Sequence, residues 1–268
     1  FTYFTDRDGK FQLASLAESA FDPLSRTCNF MLREEAHHMF IGTTGVERVV
    51  QRACEVVREI GSDNPEDVRR AGAIDLPTIQ RYLNFHYTVS LDLFGSELSS
   101  NAATYFNAGL KGRFRETTID DDHVLTDDTY PVLTPDGSLQ VVEEPALQAL
   151  NTHLQDEYID DCAKGVKKWN RAIEKAGLDF ELTLPHRAFN RHVGHFADHH
   201  VSPAGQILDE ATWESHRDEW LPSDADKEFV ASLMQAVVEP GKMAGWIAPP
   251  KAGINSQPIE YEYVRLNR

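Results

Sequence analysis

Two overlapping Glu-x-x-His units lie in the segment LREEAHHMF, pairing Glu34 with His37 and Glu35 with His38. On a helix, residues three apart share a face, so each pair can grip one metal ion. This mix of carboxylate oxygen and imidazole nitrogen suits iron that handles dioxygen. Helical bundles with two carboxylate-bridged irons take a Glu-x-x-His from each of two helices and one carboxylate from each of two others. Asp6 lies 29 residues before Glu35. A turn near residues 21–23 places Asp6 and Glu35 roughly 22 and 18 Å from the hairpin end, at ~1.5 Å of rise per residue. The difference is under one helical turn, so the two carboxylates can meet across an antiparallel pair and share a metal.

Which register binds is left open by periodicity. Cys28, Met31, Glu35, His38 and Gly42 form one stripe, and Thr27, Phe30, Glu34, His37 and Ile41 the adjacent one. The first stripe has a small residue one turn beyond His38. The second can hold groups that orient a ligand, or simply face solvent. A complete site needs a second carboxylate and a second Glu-x-x-His. The segment beginning at Glu214 ends in Arg217, the one beginning at Glu157 ends in Asp160, and Glu97 has no Glu-x-x-His about 30 residues on. The chain also opens at Phe1 in what reads as mid-element sequence. The expectation is therefore an upstream segment that supplies the other half, with these 268 residues as a C-terminal part.

The elements that must position these side chains are mainly helical. The first helix is predicted over Phe4–Ala20, with Gly9 weakening its first turn. Asp22 reads as the N-cap and Pro23 as the first helical residue of a second helix. That helix continues through VERVVQRACEVVREI with a 3.6 period, bends near Gly42 or Gly45, and stops at Gly61. Residues 62–67 read as a loop. A long helix follows from Pro77 to about residue 98, and a shorter one over 98–112. The Pro-Asp-Gly turn signal at 135–137 sits between two β-prone segments and predicts a hairpin. Helix returns over 145–175, ending near Gly177, and one amphipathic helix is expected over about 223–238. This divides the chain into residues 1–118 completing a bundle, 119–145 as acidic loop and hairpin, and 146–268 as a C-terminal helical and irregular region packed on it.

A formal net charge of −17 repels phosphate backbones and acidic membranes, so neither nucleic acid nor membrane is an expected partner. No run of about 18 apolar residues is present. Cys28, Cys54 and Cys162 are odd in number and lack a CxxC pairing, which fits a reducing cytoplasm better than zinc or a disulfide framework.

The unit formed by Asp6 and Glu35-Ala36-His37-His38 resembles the second half-site of bacterial multicomponent di-iron monooxygenases. The run TDRDGKFQLASLAESAFDPLSRTCNFMLREEAHHMF is similar in particular to the oxygenases of the benzoyl-coenzyme A 2,3-epoxidase family. The resemblance extends to the C-terminus. It implies Glu35 and His38 as the ligand pair, with Asp6 in place of the commoner Glu. It further implies a ferritin-like helical bundle of which the second half is present, with a small β-hairpin and a long C-terminal extension. Two iron ions, O2 as co-substrate, benzoyl-coenzyme A as substrate and an NADPH-dependent flavin and iron–sulfur reductase partner follow from the same likeness. One oxygen atom would enter the aromatic ring and the other would leave as water.

Phosphates on coenzyme A need cationic partners. Lys111, Arg113 and Arg115 form the densest basic cluster apart from Lys167-Lys168, and are weak candidates. His186, His192, His195, His199 and His200 crowd one segment without a Glu-x-x-His or cysteine ligand and read as structural or surface residues. No GxSxG, GxGxxG or P-loop occurs. Two competing readings stand beside the oxygenase: a ferritin-like iron or manganese protein without oxygenase activity, and a non-enzymatic helical interaction module.

Overall fold

The computed structural model describes residues 1–113, 128–133, 139–144, 147–234, 236 and 244–252. Thr5–Ala17 form α1 and Asp22–Ile60 form α2, an antiparallel helical hairpin. Then come α3 (Pro65–Arg70), α4 (Leu76–Asp92) and α5 (Ser100–Asn107). Strands β1 (Asp128–Leu133) and β2 (Leu139–Glu144) pair antiparallel, with Tyr130 opposite Val142. The chain returns through α6 (Leu150–Ala176), a two-residue pairing of β3 (His200–Val201) with β4 (Ile207–Leu208), α7 (Glu210–Trp220) and α8 (Asp224–Leu233). The mainly helical architecture with one small antiparallel hairpin is as the sequence suggests; its turn tip, 135–137, lies outside the described residues.

Several local expectations are corrected. α2 runs unbroken through Gly42 and Gly45. Phe21 is its N-cap, with Asp22 already helical, and Gly61 closes it at φ 68°. The segment read as a loop at 62–67 contains the start of α3, because Asn64 accepts a hydrogen bond from Glu66 N and Pro65 follows as the first helical residue. α4 stops at Asp92, so Glu97 is not helical. α6 begins at Leu150, and α7 precedes a shorter α8. Polar α7 buries only Trp213, so it lacks the apolar stripe that would have announced it.

One core joins α1, α2, α4 and α6. Tyr3, Phe4 and Phe11 bury against Val50, Ala53, Leu83, Tyr87, Tyr158 and Trp169. Tyr3 meets Trp169 edge-on with ring centroids 4.5 Å apart, and its hydroxyl donates to the carbonyl of Cys162 at 3.0 Å. A methyl group at Gly165 would overlap the Tyr3 hydroxyl, so glycine there opens the slot that α1 needs on α6. Arg7 reaches from α1 to Asp161 of α6 at 2.6 Å while its guanidinium lies 4.3 Å from the centroid of the Tyr3 ring.

Gly42 sets the slide of α2 along α1. A Cβ there would stand 2.7 Å from Tyr3 N, a distance that side-chain rotation cannot relieve. Gly45, one turn on, has nothing within 4 Å of the same added atom. Alanine is intrinsically better in a helix than glycine by about 1 kcal/mol. Gly45→Ala is therefore expected to raise stability by about 0.5–1 kcal/mol, whereas Gly42→Ala lowers it by about 1–3 kcal/mol by forcing the backbones apart. Urea unfolding of the two variants checks the opposite signs.

Candidate metal centre

The contact of Gly42 with Tyr3 fixes the register of the hairpin. One turn further along α1 stands Asp6, and one to two turns back along α2 stand His38 and Glu35. Their ligand atoms all lie within 4.8 Å of one another, forming a cluster of one imidazole and two carboxylates. His38 Nδ1 is 3.9 Å from Asp6 Oδ2 and 3.8 Å from Glu35 Oε2. Gly9 lies opposite Glu35, where even a Cβ would remain 3.7 Å from Oε1, so α1 leaves the carboxylate room. Among the described residues this is the one such cluster of three or more potential ligands.

The electrostatics of the trio call for a cation. The Asp6 and Glu35 side chains are 16% and 17% exposed, so water only partly screens their repulsion. Glu35 Oε2 is buried and has no hydrogen-bond partner. Burial first, and then the charge of Asp6, push the Glu35 carboxyl above its ordinary range, and His38 only partly offsets this. A buried acceptor without a donor costs about 1–3 kcal/mol. A metal ion between the three groups satisfies that oxygen and cancels the repulsion, so the residues fit iron chemically.

The neighbouring stripe faces outward. Glu34 and His37 are exposed and, with Phe30, Arg33 and the outer edge of His38, line a shallow surface depression. His38 itself is 48% exposed. Around it Phe30, Phe40 and Ile41 are open to solvent.

The weak phosphate candidates are dispersed. Lys111 is turned inward toward Asp8, with desolvation lowering its pKa and the Asp8 charge opposing that. Asp8 is itself pushed up to about 7 by burial, against a hydrogen bond from Gln12 and the charge of Lys111. Arg113 is half-buried, and Arg115 lies outside the described residues. The five crowded histidines form no metal cluster among the described residues. His186 Nδ1 accepts from Ala188 N, and His200 is paired with Glu210 at 2.6 Å and stacked on Trp213. Cys28, Cys54 and Cys162 are free and buried, and Tyr158 and Trp169 are fully buried in the core. Glu97 is buried too, but it accepts from Arg191 and from His195 N rather than facing the cluster.

What sequence reasoning missed is a second polar centre around Arg191. Its Nε donates to Asp92 at 2.6 Å and its Nη1 to Glu97 at 3.1 Å, from a side chain with no exposure at all. These partners are roughly a hundred residues apart, so no local spacing signals them.

Fold and cluster together define a mainly helical protein with a carboxylate–imidazole cluster on an antiparallel hairpin. Over all 268 residues the chain is 57% identical to benzoyl-CoA oxygenase component B of Aromatoleum evansii. The match takes in 100% of this chain and 57% of that protein, so the chain spans a little over half the length of the curated relative it matches. That share does not bear out the reading of the chain as a C-terminal part. No family model matches. No helix among the described residues is long and apolar enough to cross a membrane.

Proposed function

We propose that this chain carries part of the di-iron centre of an oxygenase that epoxidises the aromatic ring of benzoyl-coenzyme A. The observation that carries the reading is the convergence of Asp6, Glu35 and His38 on one point, with an orphaned buried oxygen on Glu35. The 57% identity to a protein named for benzoyl-CoA oxygenation supports the substrate. In this reading Asp6, Glu35 and His38 hold iron, with His38 Nδ1 as the nitrogen ligand. The remaining ligands come from polypeptide that packs on the exposed face of Phe30, Phe40 and Ile41. Bound iron supplies the activation of dioxygen.

The chain's own residues do the positioning. The Tyr3–Gly42 contact holds the register, and Arg7 with Asp161 ties α1 down on α6 so that Asp6 cannot rotate away. Asp6 has one methylene less than glutamate, so its carboxylate reaches less far from α1. Electrons come from an NADPH-dependent flavin and iron–sulfur reductase, and the compartment is the reducing cytoplasm in which three free thiols persist.

The full-length protein is expected to bind iron and to consume oxygen only when benzoyl-coenzyme A and a reductase are both present. Iron without substrate-dependent oxygen uptake would favour a ferritin-like binding protein. No iron at all would leave a helical interaction module.

A further inference from the structure

One face of α6 carries a row of cations. Lys164, Lys168, Arg171 and Lys175 are spaced four, three and four apart, which stacks them along a single side of the helix. Lys164 is held by Asp161 at 3.5 Å. The other three line an open groove of about 390 Å³ between α6 and α2, joined there by Arg58 and by Lys251 of the 244–252 segment. Cys54, Ala172 and Ala176 also line it, and these small side chains leave it unfilled.

Two glutamates share the groove, and both are occupied. Glu47 pairs with Lys168 at 2.9 Å. Glu55 accepts from Gln51 at 2.7 Å and faces Arg52 at 3.6 Å. Arg58, Arg171, Lys175 and Lys251 are exposed and make no ion pair among the described residues. The groove is thus a positive spot on a chain of net charge −17. Arg58 and Lys175 stand in the last turns of α2 and α6, where they offset the partial negative charge of the helix ends. Arg171, before the last turn, and Lys251, outside any helix, are not accounted for in that way.

The layout does not suit a small anion. Lys168 and Lys175 are about 10 Å apart in helical rise, and none of the four unpaired cations is buried. They do not converge on one desolvated point; they spread a positive field over an extended face. The groove also runs along the helix that carries His38. Glu47 follows His38 by nine residues on unbroken α2, about 14 Å of rise. Next to Lys168, Trp169 packs edge-on against Tyr3, which stands one turn before Asp6.

We infer that this groove docks an acidic surface of the electron-donating reductase component. The inference rests on the oxygenase reading above for the partner's identity, and on the groove alone for the partner's charge. Exposed cations at an interface steer encounter and set its salt dependence more than they hold the complex.

Biolayer interferometry of the full-length protein against the purified NADPH-dependent reductase tests it without turnover. Association is expected to slow as salt rises. Arg171→Glu is expected to slow it about tenfold at low salt and to flatten the salt dependence. In turnover the same variant should raise KM for the reductase and leave kcat unchanged at saturating reductase. Arg26→Glu, the same charge change near the other end of α2, serves as the control. Arg171→Glu also relieves repulsion within the groove, so its melting temperature is expected to equal or exceed that of the wild type. A lower melting temperature with unchanged association would give Arg171 a structural role and overturn the inference.

Acetylation of Lys175 and Lys251, read by mass spectrometry, separates the possible occupants. Both lysines are expected to react in the free protein and to be protected by the reductase. Protection in the free full-length protein would mean that its own chain covers the groove, and the inference falls. It falls equally if inorganic phosphate protects the lysines and the reductase does not. If reductase binding depends on Arg171 but no oxygen is consumed with benzoyl-coenzyme A, the oxygenase reading falls and the docking groove stands. If turnover is present but binding ignores Arg171, only the docking assignment falls.

Discussion

His38→Ala loses half or more of the iron bound per chain, while His37→Ala retains it. The two histidines are sequence neighbours with the same intrinsic chemistry, so the contrast isolates geometry. His38 Nδ1 lies within 4 Å of both Asp6 and Glu35. His37 sits on the exposed stripe. Removing a ligand is expected to cost at least the 10–100-fold in activity or affinity that loss of a ligand's supporting partner costs. Elemental analysis of the purified full-length variants reads the iron, and oxygen uptake with benzoyl-coenzyme A reads the activity. Equal iron in both variants would mean that the cluster is not the metal site.

The same trio predicts a sign that activity cannot report. In the metal-free protein Glu35 is desolvated and repelled by Asp6, so its carboxyl titrates above the ordinary range. A carboxyl raised in the folded state binds more protons there than in the unfolded chain, so apo stability falls as pH rises through that interval. Glu35→Gln removes the charge. The apo variant is expected to be as stable as the apo wild type or more so at neutral pH. With iron(II) added the order reverses, because only the wild type gains binding free energy. Thermal melts with and without iron check the crossing.

How much of this was legible in the sequence follows from the range of each interaction. The meeting of Asp6 with Glu35 was readable because a helical hairpin is nearly one-dimensional. Its rise per residue converts sequence separation into distance once the turn is placed. The choice of stripe was not readable from period, since positions 34 and 35 lie only about 100° apart on a helix. In the structure Tyr3 packs on Gly42, a contact across 39 positions, and Glu35 and His38 are the pair that stands beside Asp6. In the sequence Gly42 reads as a bend or as the small residue one turn beyond His38, and its use is close backbone approach. The Arg191 centre and α7 were invisible for different reasons. The partners of Arg191 come from distant segments, and α7 shows no apolar stripe that would have placed Trp213 on a helix. The short α3 was hidden by Asn-Pro chemistry, which starts turns and caps helices alike.

Asp226→Asn is expected to lower stability by about 3–5 kcal/mol, the cost of breaking a buried ion pair by removing one partner. The carboxylate, on α8, is 2% exposed and accepts from Arg69 at 2.6 Å and Arg81 at 2.7 Å. Ser223 N donates to it as well, closing a capping box at the start of α8. Burial works against its charge, but hydrogen bonds from Arg81, Ser223 and Arg69 outweigh that and hold the carboxyl down at about 2. The folded value lies below the ordinary one near 3.8, so the stabilisation is present above that pH and is lost as pH falls through about 2. Asparagine keeps the shape but not the charge, and its amide presents a donor where the arginines also donate. Urea unfolding at neutral pH should show the full difference, and the gap between variant and wild type should narrow between pH 4 and pH 2, roughly the range spanned by the two pKa values.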